Sequence, residues 1–253
     1  MAIIAGLLFV IIGCSKKGDS AQGPERPYQP WVSRSVLDAQ PRILTLALHD
    51  NVWAAYHTDS CALYKVWKGH VQFQGAVYDN AHGPQPISIG DAWMVNPFKH
   101  PWSVMNNGQE VLKEVKYAGH ALKKGRVMLR YYLVCNDGKI IKVEEQPDFL
   151  EKDGQMGFER LYRLKDVPDG YDVRIKQQVS SIALAQNLST NGQWEVISEN
   201  KQEEEGKKLL TLDGWLTLLP GEETYFRAYF INKPTIPNPN KAAGAEEETL
   251  PLG

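Results

Sequence analysis

Four histidines, His49, His57, His70 and His82, share the stretch Pro41 to Pro86 with Cys61, Trp53, Trp67 and three tyrosines. Side chains able to ligate, stack or carry protons are concentrated here. With His100 and His120 the chain has 6 His in all, yet none falls in an HxH or HExxH spacing. The local ligand count stays below what a protein-bound zinc takes, so no metal site is expected. No Cys-x-x-Cys-His is present for covalent haem attachment, and no Gly-x-Ser-x-Gly for a nucleophile elbow. Glu144, Glu145 and Glu159 are the carboxylates to weigh for a glycosidase-like pair. Neighbours on a strand face opposite ways, so Glu145, on the face shared with Tyr131, needs a partner brought from elsewhere.

Aromatic surface is the stronger lead. Trp53, Trp67, Trp93, Trp102 and Trp194, with Tyr64 and Tyr78, are numerous for core filling. Rings flanked by Lys68, His82 and Gln85 suit stacking on sugar faces with hydrogen bonds to their hydroxyls. The ligand-binding set expected on this ground is Trp67, Lys68, His82, Gln85 and Trp93. The competing reading makes these rings filler between two sheets.

The elements that must position them have a period of two. Ile43 to Leu48, Val52 to Tyr56, Ala62 to Trp67 and Val71 to Tyr78 are short, β-branched or aromatic runs separated by polar or Gly-containing turns. Asp79 to Gly108, with Pro84, Pro86, Pro97 and Pro101, reads as a long, ordered, irregular loop. Around Asn136-Asp137-Gly138 a three-residue hairpin with Gly138 left-handed sets Leu133 opposite Ile141 and Tyr131 opposite Val143. Cys135 then points inward. Further strands are expected at Gly157 to Leu164, Tyr171 to Val179, Gln193 to Ile197, Lys208 to Leu212, Trp215 to Leu219 and Thr224 to Ile231, with Glu199 to Lys208 a solvated loop or long hairpin tip. No run holds a helical period over three turns. The fold class is all-β, an antiparallel β-sandwich, large enough for a supersandwich-like arrangement, with long loops.

The chain has 253 residues, 43% hydrophobic and 23% charged, enough to bury a sizeable core. A formal net charge of −2 and no long basic stripe argue against a nucleic-acid partner. Ala2 to Ile12 is an apolar run too short to span a bilayer, followed by Gly13-Cys14 and Ser15-Lys16-Lys17. Ile11-Ile12-Gly13-Cys14 resembles a bacterial lipobox. That likeness implies removal of residues 1–13 as a signal peptide and lipidation of Cys14, which would hold the protein to a membrane of the bacterial cell envelope on its periplasmic or outer-membrane side. Residues 14–30, rich in Gly and Pro, read as a tether, 31–231 as the β-rich domain and 232–253 as a Pro/Glu-rich linker-like tail. In an oxidising compartment the remaining pair, Cys61 and Cys135, is expected to form a disulfide worth about 4 kcal/mol. Two buried thiols are the alternative.

The run PRILTLALHDNVWAAYHTDSCALYKVWKG, continuing through GAVYDNAHGPQP, resembles the N-terminal domain of large exported bacterial c-type cytochrome proteins that carry a haem c domain and often a sugar (glucose/sorbosone) dehydrogenase-like propeller. The likeness rests chiefly on Cys61-Ala62-Leu63-Tyr64-Lys65, Trp67-Lys68-Gly69 and His82-Gly83-Pro84-Gln85-Pro86 and extends over Trp31 to Phe230. It implies no cofactor in this chain and haem c on a cytochrome or dehydrogenase partner. The expected function is therefore a lipid-anchored, non-catalytic β module that binds a carbohydrate-like ligand or docks such a partner. The alternative is a stand-alone sugar-active enzyme of galactose-mutarotase-like type, using His/Glu acid–base chemistry.

Overall fold

The computed structural model describes residues 31–73, 83–152, 155–180, 188–204 and 207–230. The lipobox-like segment with Cys14, the tether, His82 and the tail 232–253 lie outside the described residues. The described residues form strands and no helix. Strands β1 (Trp31–Leu37), β2 (Gln40–His49), β3 (Val52–His57), β4 (Ala62–Gln72) and β5 (Ile87–Val95) follow one another as an antiparallel meander, each paired with the next. A second sheet runs in the order β13 (Leu188–Thr190), β16 (Glu223–Phe230), β11 (Gln155–Lys165), β10 (Ile140–Lys152), β9 (Arg126–Cys135), β8 (Leu112–Lys123). The third runs β14 (Gln193–Glu204), β15 (Lys207–Leu218), β12 (Tyr171–Ser180), β6 (Trp102–Asn106), β7 (Gln109–Glu110). The fold is all-β and sandwich-like, built from three antiparallel sheets.

Alternation assigns the faces. On β9 and β10, Val127, Leu129, Tyr131, Leu133, Cys135, Ile141 and Val143 are buried, while Arg130, Tyr132, Lys142 and Glu144 face outward or lie half-buried. The buried side chains join one cluster drawn from all three sheets, with Leu46 and Val66 from the first, Phe158 and Phe226 from the second, and Val104, Ile175 and Leu216 from the third. The first sheet is apolar on both faces. Leu44, Leu46, Val52 and Ala54 enter the common core, whereas Ile43, Ala47, Trp53, Ala55, Tyr64, Trp67 and Val71 form a second cluster on its other side.

The hairpin β9–β10 has the expected register: Leu133 pairs with Ile141 and Tyr131 with Val143. Cys135 N–H donates to Lys139 O at 2.8 Å and Gly138 has φ of 83°, which closes the three-residue, glycine-bulged loop. Trp31–Leu37 is an edge strand. The long loop expected between Asp79 and Gly108 is overturned, because β5 and β6 both lie in it. Its prolines stand at 84, 86, 97 and 101, outside those strands, where they delimit pairing instead of interrupting it. The runs Lys208 to Leu212 and Trp215 to Leu219 are one strand, β15, which pairs with β14 in a long hairpin as far as Glu204 and Lys207.

One glycine pair is dictated by a backbone crossing. Gly69 and Gly90 face each other in the β4–β5 ladder with φ of 150° and 116°. A Cβ on Gly69 would lie 2.0 Å from Ile89 O, and one on Gly90 2.1 Å from Lys68 O. No side chain fits either position.

Candidate functional site

Two of the buried charged clusters among the described residues join separate strands, and both are structural in their chemistry. In the common core, Glu145 is 0% exposed and Arg160 1%. Arg160 Nε and Tyr56 OH each donate to Glu145 Oε1 at 2.7 Å, Tyr131 OH donates to Oε2 at 3.1 Å, and Arg160 Nη1 donates to Gln177 Oε1 at 3.0 Å. Burial, then the Glu145 carboxylate, holds the Tyr56 and Tyr131 hydroxyls well above their ordinary range. Burial works against the Arg160 charge, but Glu145 and the neighbouring tyrosines outweigh it and raise its pKa. Glu145 thus has a guanidinium as the partner that strand geometry demanded. Fully buried and held by these donors, Glu145 is out of reach of a substrate.

The second group sits on the first sheet. Asp38, in the left-handed region at φ 52°, accepts Ser88 N–H at 2.7 Å and Ser88 Oγ–H at 2.6 Å. Tyr64 OH donates to the same carboxylate at 3.2 Å, and Lys65 Nζ lies 3.6 Å from it while donating to Ser88 Oγ at 2.5 Å. Burial pulls the Lys65 ammonium below its ordinary pKa, with Asp38 opposing that pull. This ties the β1–β2 turn to β4 and β5.

A concave site opens at the turn between β3 and β4. Thr58 N–H and Oγ1–H both donate to Arg42 O, at 3.0 and 2.9 Å, and Trp102 Nε1–H donates to Cys61 O at 2.9 Å. Ser60 N–H caps Asp59 Oδ1 at 2.8 Å. The turn is thereby fixed from β2 on one side and β6 on the other, while Asp59 stays exposed and His57 and Ser60 half-buried. A cavity of about 370 Å³ lies against Gln40, Pro41, His57, Asp59, Ser60, Lys99 and His100. A second, of about 410 Å³, shares Asp59, Ser60 and His100 and continues over Trp102 to Leu112, Lys113, Glu114 and Val115. Together they form one cleft. Burial lowers the His57 imidazole below 6.5, Lys99 lowers it further and Asp59 opposes. The cleft therefore presents an imidazole, a carboxyl, a hydroxyl, an amide and an amine, a mixture of hydrogen-bond donors and acceptors.

The residues expected to bind ligand are not brought together. Trp67 is 0% exposed and stacks at 6.0 Å on Trp53 in the outer cluster of the first sheet. Trp93 is 3% exposed and stacks at 4.5 Å on Phe230 in the common core. The cause is a register shift: Trp67 pairs with Ala92 and Val66 with Met94, so Trp93 is the extra residue of a bulge and turns into the common core with Met94. Neither ring is a platform for a ligand. Lys68 is half-buried opposite Asp91, and Gln85 is half-buried in the segment before β5, so neither lines the cleft. Cys61 and Cys135 are buried and free, which corrects the expected disulfide. Cys61 lies in the β3–β4 turn and Cys135 at the end of β9, each a buried thiol. Among the described residues no three His, Cys, Asp or Glu side chains come together so as to hold a metal ion.

Pro41, His57, Asp59 and Ser60 of the cleft fall in the stretch Pro41 to Pro86, and Trp67, Lys68, Gln85 and Trp93 do not line it. The Asp59-Ser60 pair is a recognisable turn signal beside His57, and a turn between two apolar strands is where polar side chains meet solvent.

No protein-family model matches the chain, and no curated protein sequence matches it. Among solved structures, it is similar to the crystal structure of 4-alpha-glucanotransferase from Thermococcus litoralis, with 9% identity and a TM-score of 0.38 over 80% of this chain and 40% of that one. The chain thus spans about two fifths of the length of that protein, 40%. At such a TM-score the likeness carries no argument about activity.

Proposed function

We propose that this chain is a lipid-anchored extracytoplasmic module that binds a carbohydrate-like ligand without transforming it, and that the ligand sits in the cleft beside the β3–β4 turn. The observation that supports this most is the composition of that cleft: two adjoining cavities meet at Asp59, Ser60 and His100, with His57 and Lys99 on one side and the edge of Trp102 on the other. Sugars are held by such mixed sets of donors and acceptors beside an apolar edge. Lipid on Cys14 would place the cleft at a membrane surface.

The test is a titration of the purified domain, followed by amide chemical shifts, with a panel of neutral and acidic mono- and oligosaccharides. Shifts confined to the turn 57–61 and to His100, lost in Asp59→Ala, support the reading. A panel that leaves these amides unmoved at millimolar sugar overturns it. Mass spectrometry of the membrane fraction checks the anchor, since an unmodified Cys14 would remove that part.

A second reading keeps the same cleft and adds proton transfer. The observation favouring it is the neutral His57 imidazole, whose lowered pKa suits a general base. Anomer interconversion of free sugars, read by exchange spectroscopy, separates the two. Acceleration abolished by His57→Gln would establish the enzyme, and rates equal to buffer would leave a binding module.

A further inference from the structure

The outer face of the second sheet carries charges set opposite one another by register. Arg130 pairs with Glu144, Glu144 with Arg163 and Arg163 with Glu223 along four adjacent strands. The N–O distances are 4.0 Å for Arg130–Glu144, 3.0 Å for Lys165–Glu144, 2.5 Å for Arg163–Glu223 and 3.0 Å for Arg126–Asp148. This balance fails toward the β8–β9 turn. There Lys124 and Gly125, with φ of 51° and 71°, form the two left-handed positions of a tight hairpin. Lys123 and Lys124 are exposed and have no acidic partner among the described residues.

A recess of about 620 Å³ lies between this turn and β10–β11. Its rim is Lys123, Lys124, Arg126, Arg163 and Lys165, with Glu144 its acidic member. Its floor is Met128 and Gln146, each 7% exposed. Gln146 Nε2 is buried there and makes no hydrogen bond. A buried amide donor without an acceptor is costly to leave unmet. Of these five cations Arg126, Arg163 and Lys165 are paired with Asp148, Glu223 and Glu144, so the uncompensated charges in this chain of net charge −2 are Lys123 and Lys124.

We propose that this recess is a binding site for phosphate groups. Lys123 and Lys124 neutralise the phosphate oxygens, Arg126 and Arg163 add the guanidinium N–H groups not engaged by Asp148 and Glu223, and Gln146 donates from the floor to one oxygen. With Asp148, Glu223 and Glu144 engaged by Arg126, Arg163 and Lys165, the unbalanced charges are those of Lys123 and Lys124, a pair that matches a phosphate dianion better than a single carboxylate. The phosphate is carried either by a soluble phosphate compound or by a lipid headgroup. The site shares no residue with the cleft at the β3–β4 turn and does not depend on the carbohydrate reading.

The full chain with Cys14→Ser, free of lipid, is titrated calorimetrically with inorganic tripolyphosphate and, separately, floated with vesicles of phosphatidylcholine alone or of phosphatidylcholine and phosphatidylglycerol at 3:1. Saturable tripolyphosphate binding that weakens at least tenfold in Lys123→Glu/Lys124→Glu, and several-fold in Gln146→Leu, supports the site, and so does flotation with the anionic vesicles alone, lost in the same double variant. The first pattern names a soluble ligand and the second a headgroup. Lys201→Glu, on the third sheet, serves as a control for overall charge. The proposal is overturned by the absence of binding in both arms, by wild-type affinity in Lys123→Glu/Lys124→Glu, or by an equal loss in Lys201→Glu. Melting curves of each variant verify folding, since the two lysines are exposed and a Gln→Leu change nearly conserves volume.

Discussion

Arg160 Nε donates to Glu145 Oε1 at 2.7 Å where the two side chains are 2% and 0% exposed, and through this one bond the three sheets are tied together. Glu145 accepts Tyr56 from the first sheet, and Arg160 reaches Gln177 on the third. Removing one charge strands the other in a medium that cannot solvate it. Arg160→Met is therefore expected to destabilise the domain by about 3–5 kcal/mol. Adding Glu145→Gln removes the stranded charge and keeps an acceptor for Tyr56, so the double variant recovers part of that loss. Urea midpoints measured on the three proteins check this, and a double variant no more stable than Arg160→Met would show that burial of the charge is not the cause.

The pH dependence of the cleft follows from His57. Its pKa is lowered in the folded chain by burial first and Lys99 second, with Asp59 opposing. The folded state then binds fewer protons than the unfolded one between the folded pKa and about 6.5, so this contribution to stability is whole above pH 6.5 and is lost as pH falls through that window. An imidazole titration by NMR is expected to give a midpoint below 6.5. Lys99→Ala should raise the midpoint, and Asp59→Asn should lower it further.

The hairpin at Asn136-Asp137-Gly138 was legible to the residue, because turn chemistry fixes register and register fixes which side chains face in. The strands β5 and β6 were not, since four prolines within one window mask two strands that begin and end between them. The site was half legible. Ala62-Leu63-Tyr64-Lys65-Val66-Trp67 is buried along its whole length, and a run buried on both faces loses the alternation that separates a core ring from a ligand platform. Pairing of Cys61 with Cys135 was inferred from their number and compartment, and neither fixes their separation in space.

Burial raises both thiols above their ordinary pKa, which keeps them protonated and unreactive. In a Cys14→Ser background, a thiol reagent is expected to label neither cysteine of the native domain and both after denaturation, and a reductant should leave the melting temperature unchanged. A melting temperature that falls by several degrees on reduction would reinstate the bridge.

Trp67 offers the sharpest contrast between a core ring and a ligand-binding one. With 0% exposure, a stacked contact on Trp53 and an indole N–H donating to His70 O at 3.1 Å, its truncation to Ala should cost about 3–5 kcal/mol. Any ligand affinity of the fraction that stays folded should be unchanged. Selective loss of binding with full stability would return Trp67 to the binding surface.

The crossing at Gly69 and Gly90 explains why Trp67-Lys68-Gly69 ends in glycine. Gly69 N–H donates to Asn51 O at 2.7 Å and Gly69 O accepts Trp53 Nε1–H at 2.8 Å, so the residue is held by both its backbone groups while β5 passes against its Cα. Gly69→Ala meets Ile89 O, a backbone atom that no rotamer change can move, at a φ that side chains disfavour. The expected loss is at least about 2 kcal/mol, made up of strain and overpacking. Gly138→Ala supplies the comparison. Its φ is also positive but nothing lies within 4 Å of an added Cβ, so only the backbone term, about 1 kcal/mol, should appear. Equal losses in the two variants, measured by urea denaturation, would show that left-handed backbone strain alone, and not the close passage of β5, demands glycine at position 69.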